Sequence, residues 1–357
     1  MAETQNPRRT RIQLIYEGAD ISEDIAPYLL SFDYTDKSSG EADRIQITLE
    51  DRERLWRDPW FPDKGSRVSA TIVTENWDKQ DENLSLYCGA FEIDEIEISE
   101  VPMTVSVKAV SAPRSANIRD EEKNRNWEGY KLSGIAGDIA GDAGLSLEYL
   151  ASKDPTYDTR NQVKQSDMAF LMRLCSDAGL ALKVTDSKIV IFDEEEFESR
   201  EAVLTIERGD SSVMSMNLRS KAAGTYKSAT VSYNDAEADE TFEGSAYDDT
   251  VENNGQTLQI NQRVKSNAEA EELAKNRLRE ANRNEVAGSF NLMGNLSLVG
   301  GSNVKISGYG KFDGVYFIDS ARHTVSGSGY VTSIDIIEGT SSKRGKRYVK
   351  GYYRNMP

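Results

Sequence analysis

Residues 162–192 read QVKQSDMAFLMRLCSDAGLALKVTDSKIVIF, and they hold a capped helix, a glycine stop and a hairpin in one run. Ser166 is a good N-cap, and Asp167 sets a carboxylate against the positive end of the helix dipole. Met168, Leu171, Leu174, Cys175 and Ala178 recur at three- and four-residue spacing and predict one apolar stripe. Gly179 can take the left-handed conformation that ends a helix. Leu180, Leu182 and Val184 then alternate, Asp186 and Ser187 predict a turn, and residues 189–192 return. The pattern describes a docking unit between larger elements and carries no chemistry.

Upstream, residues 131–143 predict a second helix, with Ser133 as its N-cap and Leu132, Ile135, Ala136, Ile139 and Ala140 inward. Its glycines 134, 137 and 141 cost up to about 1 kcal/mol each relative to alanine, so it needs a close neighbour. It ends in DAGLSL, as the opening helix ends in DAGLAL. Two such copies predict a paired insert rather than a solenoid, which takes about three repeats or more.

On either side the pattern is β. Short alternating runs at 11–16, 31–35, 44–50, 67–74, 84–87, 90–99 and 103–110 predict a barrel or sandwich, with a phase shift near Asp94 and Glu95 that marks a bulge. After 190, runs at 203–206, 213–218, 229–233, 257–261, 288–293, 303–307, 314–324 and 331–337 predict strands. One helix interrupts them, opened by the capping box Ser266 and Glu269. The expected class is mainly β with an α+β insert, divided as a first β-barrel (1–110), a helix–hairpin insert (111–190), a second barrel with one helix (191–340) and a basic tail (341–357).

A net charge of −17 argues against nucleic acid as the main partner. The exception is the tail, where Lys343, Arg344, Lys346 and Arg347 predict either an inert extension or an arm that docks on an acidic partner. Residues 1–11 show no apolar leader and no run reaches the ~20 apolar residues of a membrane span. The expectation is a chain made in a cytoplasm, without membrane insertion. Cys88 and Cys175 read as buried free thiols. The single histidine, His323, reads as packed, and one histidine with two distant cysteines excludes the usual zinc set. The acidic run 193–196 reads as a solvated turn, and GxxxxGK[ST] and GxSxG motifs are absent. Neither a catalytic residue, a cofactor nor a metal is expected. Carboxylate counts leave a cell-wall hydrolase open, and Trp56, Trp60, Phe61 and Trp77 leave a carbohydrate- or receptor-binding tail protein open.

Gln165-Ser166-Asp167, then Ala169-Phe170-Leu171, Arg173-Leu174 and Ala178-Gly179-Leu180, resemble the signature of the phage late control gene D family, the baseplate hub proteins of contractile tails. Residues 266–282 are similar to the family's late helix, and residues 300–307, 316–318 and His323 resemble its closing strands. The resemblance covers residues 120–340 well and 10–110 more loosely. It implies a structural, non-enzymatic homotrimer, a pseudo-sixfold ring of barrels adapting a tail tube to a central spike protein. Implied partners are that spike, tube or tube-initiator proteins, the tape-measure protein and baseplate wedge proteins, with DNA only as passing cargo in an acidic lumen. The implied location is the virion baseplate, assembled in the host cytoplasm. The spike is expected on a separate polypeptide, because only the basic tail follows the second barrel.

Overall fold

The computed structural model describes residues 6–58, 60–111, 118–185, 187–221, 223–235, 240–249, 251, 256–339 and 348–350. The first part contains β1 (Arg9–Tyr16), β2 (Ala19–Asp20), the helical turn α1 (Ser22–Ile25), β3 (Leu29–Lys37), β4 (Arg44–Glu50), β5 (Arg67–Glu75), β6 (Asn83–Glu100) and β7 (Met103–Val110). Next come β8 (Lys123–Lys131), α2 (Leu132–Asp142), β9 (Ser146–Tyr149), β10 (Thr156–Gln165), α3 (Asp167–Ala178), β11 (Ala181–Val184), β12 (Lys188–Phe192) and α4 (Glu194–Glu198). The remainder is β13 (Ala202–Glu207), β14 (Val213–Ser220), β15 (Ser228–Asp235), β16 (Glu240–Asp248), β17 (Thr257–Ile260), α5 (Asn267–Asn282), β18 (Val286–Met293), β19 (Asn303–Ser307), β20 (Gly314–Ser326), β21 (Gly329–Glu338) and β22 (Tyr348–Lys350).

Alternation decides the β parts. In β5, Val68, Ala70 and Ile72 point inward between half-exposed neighbours, as Ile45, Ile47 and Leu49 do in β4. These strands pair in the order β3-β4-β7-β6-β5-β1 and curl around one core that includes Leu14, Phe32, Ile72, Phe91 and Val105. The second region repeats that order as β14-β18-β21-β20-β19-β13 around Ile206, Phe290, Val304, Ile318 and Ile334. Strand for strand in chain order, the two sets have the same neighbours. They differ in one respect: β1 runs antiparallel to β5, whereas β13 runs parallel to β19. The fold is therefore mainly β, with two similar barrel-like units and an α+β insert between them. Among the described residues, hydrogen bonding does not close either barrel, because β1 shares a core but no ladder with β3, nor β13 with β14. Instead β3 pairs with β20, so both units belong to one 13-stranded sheet.

Several expectations are corrected. The runs at 84–87 and 90–99 are one strand, β6, carried through Gly89 at φ 117°. The bulge near Asp94 is present, as a register shift between Ile93 and Glu95. The runs at 229–233 and 257–261 do not join the second barrel. They lie in β15 and β17 of a separate four-stranded sheet that packs on α5 with its own core. Ser133 is not an N-cap: α2 begins after Lys131, and the Ser133 amide and hydroxyl donate to Asp154 at 3.0 and 2.8 Å. In the insert, α2 and α3 each end at a left-handed glycine, Gly144 (φ 69°) and Gly179 (φ 72°), and feed β9 and β11 of one sheet ordered β11-β12-β9. Asp186 of the expected hairpin turn lies outside the described residues.

Candidate assembly site: the junction around the signature helix

At the start of α3 the Ser166 hydroxyl accepts from the Ala169 amide at 3.3 Å, as its position requires. Asp167 does more than face the helix dipole. Its carboxylate is 1% exposed and takes Lys123 at 2.7 Å, Arg125 at 3.7 Å and the Gln162 amide at 2.9 Å. Both cations come from β8, a strand that sequence periodicity misses because KNRNWEGYK buries little besides Trp127. Phe170 stacks on that Trp127 with ring centres 5.1 Å apart, and Arg173 lies over the outer face of Phe170 while donating to Gln165 at 3.3 Å. Leu171 and Leu174 are buried against α2, and Leu180 is buried just past the stop. Phe170 is buried with them, and Met168 and Ala178 of the expected stripe pack against the same core while partly exposed.

The far end of α3 docks on α5. Asp177 binds Arg277 at 2.6 Å and accepts from Gln262 at 2.7 Å, while its carbonyl accepts from Asn276 at 3.0 Å. Ser176 donates to Glu280 at 2.8 Å. Gly179 lies so close that a Cβ there would meet the Asn276 Oδ1 at 2.6 Å. The acidic run 193–196 is not a solvated turn. Asp193 caps α4, Glu194 binds Arg283 at 2.8 Å and Glu198, nearly buried, binds Arg279 at 2.7 Å. Burial alone would lower the Arg279 pKa, but Glu198 and Glu194 outweigh it and hold the guanidinium charged.

On the other side of the insert, β11 abuts the first barrel. The Gly40 amide donates to the Leu182 carbonyl at 3.0 Å, and the Ser111 hydroxyl to the Val184 carbonyl at 3.2 Å. Lys183 reaches Asp36 at 2.6 Å and Asp43 at 3.1 Å, and Asp36 also accepts from the Gly300 amide at 2.9 Å. One ammonium thus ties the insert to the first barrel, and Asp36 continues the link to the second. Burial pushes the Asp43 carboxyl up to about 6, with Lys183 opposing and Asp36 reinforcing the rise. For Lys183 burial works downward, and the two carboxylates more than reverse it.

The histidine and the two cysteines are buried. His323 is fully buried, hydrogen-bonded to the Tyr330 hydroxyl at 2.7 Å and the Leu298 carbonyl at 3.0 Å, and burial lowers its pKa to about 4. Cys88 and Cys175 are buried free thiols, the latter pushed up to about 12 by burial. Among the described residues no group of three His, Cys, Asp or Glu could hold a metal, and no helix is long and apolar enough to cross a membrane.

The family model described as phage tail baseplate hub (GPD) matches residues 65–329, from just before β5 through the insert to the start of β21. This chain is a member of that baseplate hub family. A probable baseplate hub protein of Escherichia phage P2 is 27% identical over 182 residues, 50% of this chain; that match spans only 43% of the P2 protein. The fold matches the tail protein from Neisseria meningitidis MC58, with TM-score 0.70 and 14% identity over 94% of this chain and 99% of that one. It also matches a component of the E. coli type VI secretion system described as similar to T4 bacteriophage tail proteins gp27 and gp5. There the TM-score is 0.53 and the identity 14%, over 97% of this chain and 80% of that one.

In this hub chain the aromatic cluster splits. Trp56 is buried, Trp77 is half-buried with its indole donating to the Gly294 carbonyl at 2.6 Å, and Trp60 and Phe61 remain exposed. Lys343, Arg344, Lys346 and Arg347 lie outside the described residues. Just beyond them, the backbone of β22 pairs with β16.

Proposed function

We propose that three copies of this chain form a ring of six barrels that joins a tail tube to a central spike. The observation that supports this is the repeated strand order: one chain supplies two barrels of the same topology, so three chains meet sixfold and threefold neighbours alike. The fold shared with the type VI component, itself described as similar to phage tail proteins, is consistent with a spike as the partner. The division into units at 1–110, 111–190 and 191–340 belongs to the same reading. So do the tube or tube-initiator, tape-measure and wedge proteins as further neighbours, and docking by Lys343 to Arg347 on an acidic partner. The place of action is the virion baseplate, after assembly in the host cytoplasm, and the role is structural. With a net charge of −17, a ring lumen would repel passing DNA rather than hold it.

Light scattering of the purified chain across a concentration series, alone and with its spike protein, tests the ring. A mass of three chains is expected. A chain that stays monomeric under both conditions would sink the reading.

A further inference from the structure

The two barrels of one chain meet along a strand edge that the repeat leaves open elsewhere. β20 skips Asp319 between the pairs Ile318↔Ile336 and Ser320↔Asp335. Before that bulge its outer edge carries β19; after it the same edge carries β3, from Ser320↔Lys37 to Ser326↔Ser31. β6 is built the same way. It skips Asp94 between Ile93↔Ala109 and Glu95↔Lys108, and before the bulge its outer edge carries β5, ending at Arg67↔Glu92. After the bulge no described strand covers that edge.

The counterpart of β3 is β14. β3 bulges at Leu30 against β4, and β14 bulges at Met214 against β18. The second edge of β3 is filled by β20, whereas no described strand pairs with the second edge of β14. Both open edges expose apolar side chains: Ile98 and Val101 on and just after β6, Met214 and Met216 on β14. Soluble proteins rarely leave such edges uncovered, because they template further pairing.

We infer that β14 of one copy adds antiparallel to the post-bulge half of β6 of a second copy, repeating between chains the junction that β3 and β20 make within one. The inference rests on the ring reading and supplies its strands and register. Counting from the bulges fixes that register. Arg322 follows Asp319 as Glu97 follows Asp94, and its partner Thr35 follows Leu30 as Arg219 follows Met214. Glu97 therefore faces Arg219, Glu95 faces Lys221, and Ile98 faces Leu218. Both charged pairs join opposite signs, the favourable arrangement for residues directly facing across strands, where like charges would destabilise. Glu95 and Glu97 share one cation, Lys108, in their own chain and remain 56% and 59% exposed. Arg219 and Lys221 are exposed as well. Because the edges differ, the contact is head-to-tail rather than two-fold, and it closes into the proposed ring if each copy turns by a third of a revolution on the last.

The test uses the full chain. Glu97→Arg and Arg219→Glu are each expected to raise the concentration needed for trimers at least tenfold, and the double swap to restore it. Ser99→Cys with Asn217→Cys, set opposite by the same register, is expected to give covalent trimers on oxidation, while either single change gives none. Wild-type trimers that form while the reversals have no effect and the cysteines stay unlinked would overturn this junction and leave the ring standing. A wild-type chain that never leaves the monomer would overturn the ring and the junction together.

Discussion

Lys183 shows how much of this fold depends on single buried charges. Two carboxylates, Asp36 and Asp43, share its ammonium where the insert meets both barrels. Asp43 binds its proton more tightly in the folded chain than in the unfolded one, its pKa being about 6 against an ordinary 3.8. Its contribution to stability is therefore full below the unfolded pKa and fades as pH rises through about 6. Asp43→Asn abolishes that titration. Its destabilising effect, read from urea midpoints, is expected to be smaller at pH 7.5 than at pH 4.5 by on the order of 2 kcal/mol. An effect independent of pH would show that Asp43 does not titrate in this window. None of the partners is visible from sequence. Asp36 and Asp43 lie just outside the expected strands at 31–35 and 44–50, and the lysine that holds them is far along the chain.

At the scale of the element, α3 and its copy α2 offer an internal comparison. Gly144 and Gly179 have nearly the same left-handed φ, but a Cβ at Gly144 meets open space and one at Gly179 meets Asn276. Gly144→Ala is expected to cost the backbone strain alone, about 1–2 kcal/mol. Gly179→Ala should cost roughly 1 kcal/mol more, because the buried Asn276 must give up its bond to the Asp177 carbonyl. Equal thermal shifts for the two variants would show that the α3–α5 contact yields freely. The cap, the stop and the Asp94 bulge were legible because each is a local event written in adjacent residues. The antiparallel pair of β8 and β10 was not, since polar strands exposed on most positions lack alternation. The Asp154 that stands in for an N-cap at Ser133, and Arg279 of α5 and Arg283 just after it that draw in Glu194 of the acidic run, come from distant chain. Local pattern has no access to them.

For the whole molecule, the repeated barrel was legible only as two β regions. Its identity of strand order is hidden by what lies between equivalent strands: a short turn at Gly40 separates β3 from β4, whereas β15, β16, β17 and α5 separate β14 from β18. The shared sheet also makes the first barrel incomplete by itself. Val325 and Tyr330, from the second unit, are part of its core, and β20 covers the edge of β3. A fragment ending at residue 111 is expected to aggregate, or to be digested at least about tenfold faster than the same residues in the full chain. A protease-resistant monomeric fragment would contradict that dependence.

The β3–β20 pairing also bears on how a ring would begin. Six free barrels would have to surrender translational and rotational freedom at every encounter, each costing about 4–15 kcal/mol. Within this chain, β3 meets β20 at an effective concentration set by the connecting polypeptide, whatever the number of copies in the cell. Half of the barrel contacts of such a ring would then be insensitive to dilution. Assembly would be controlled by gene dosage only through the other half.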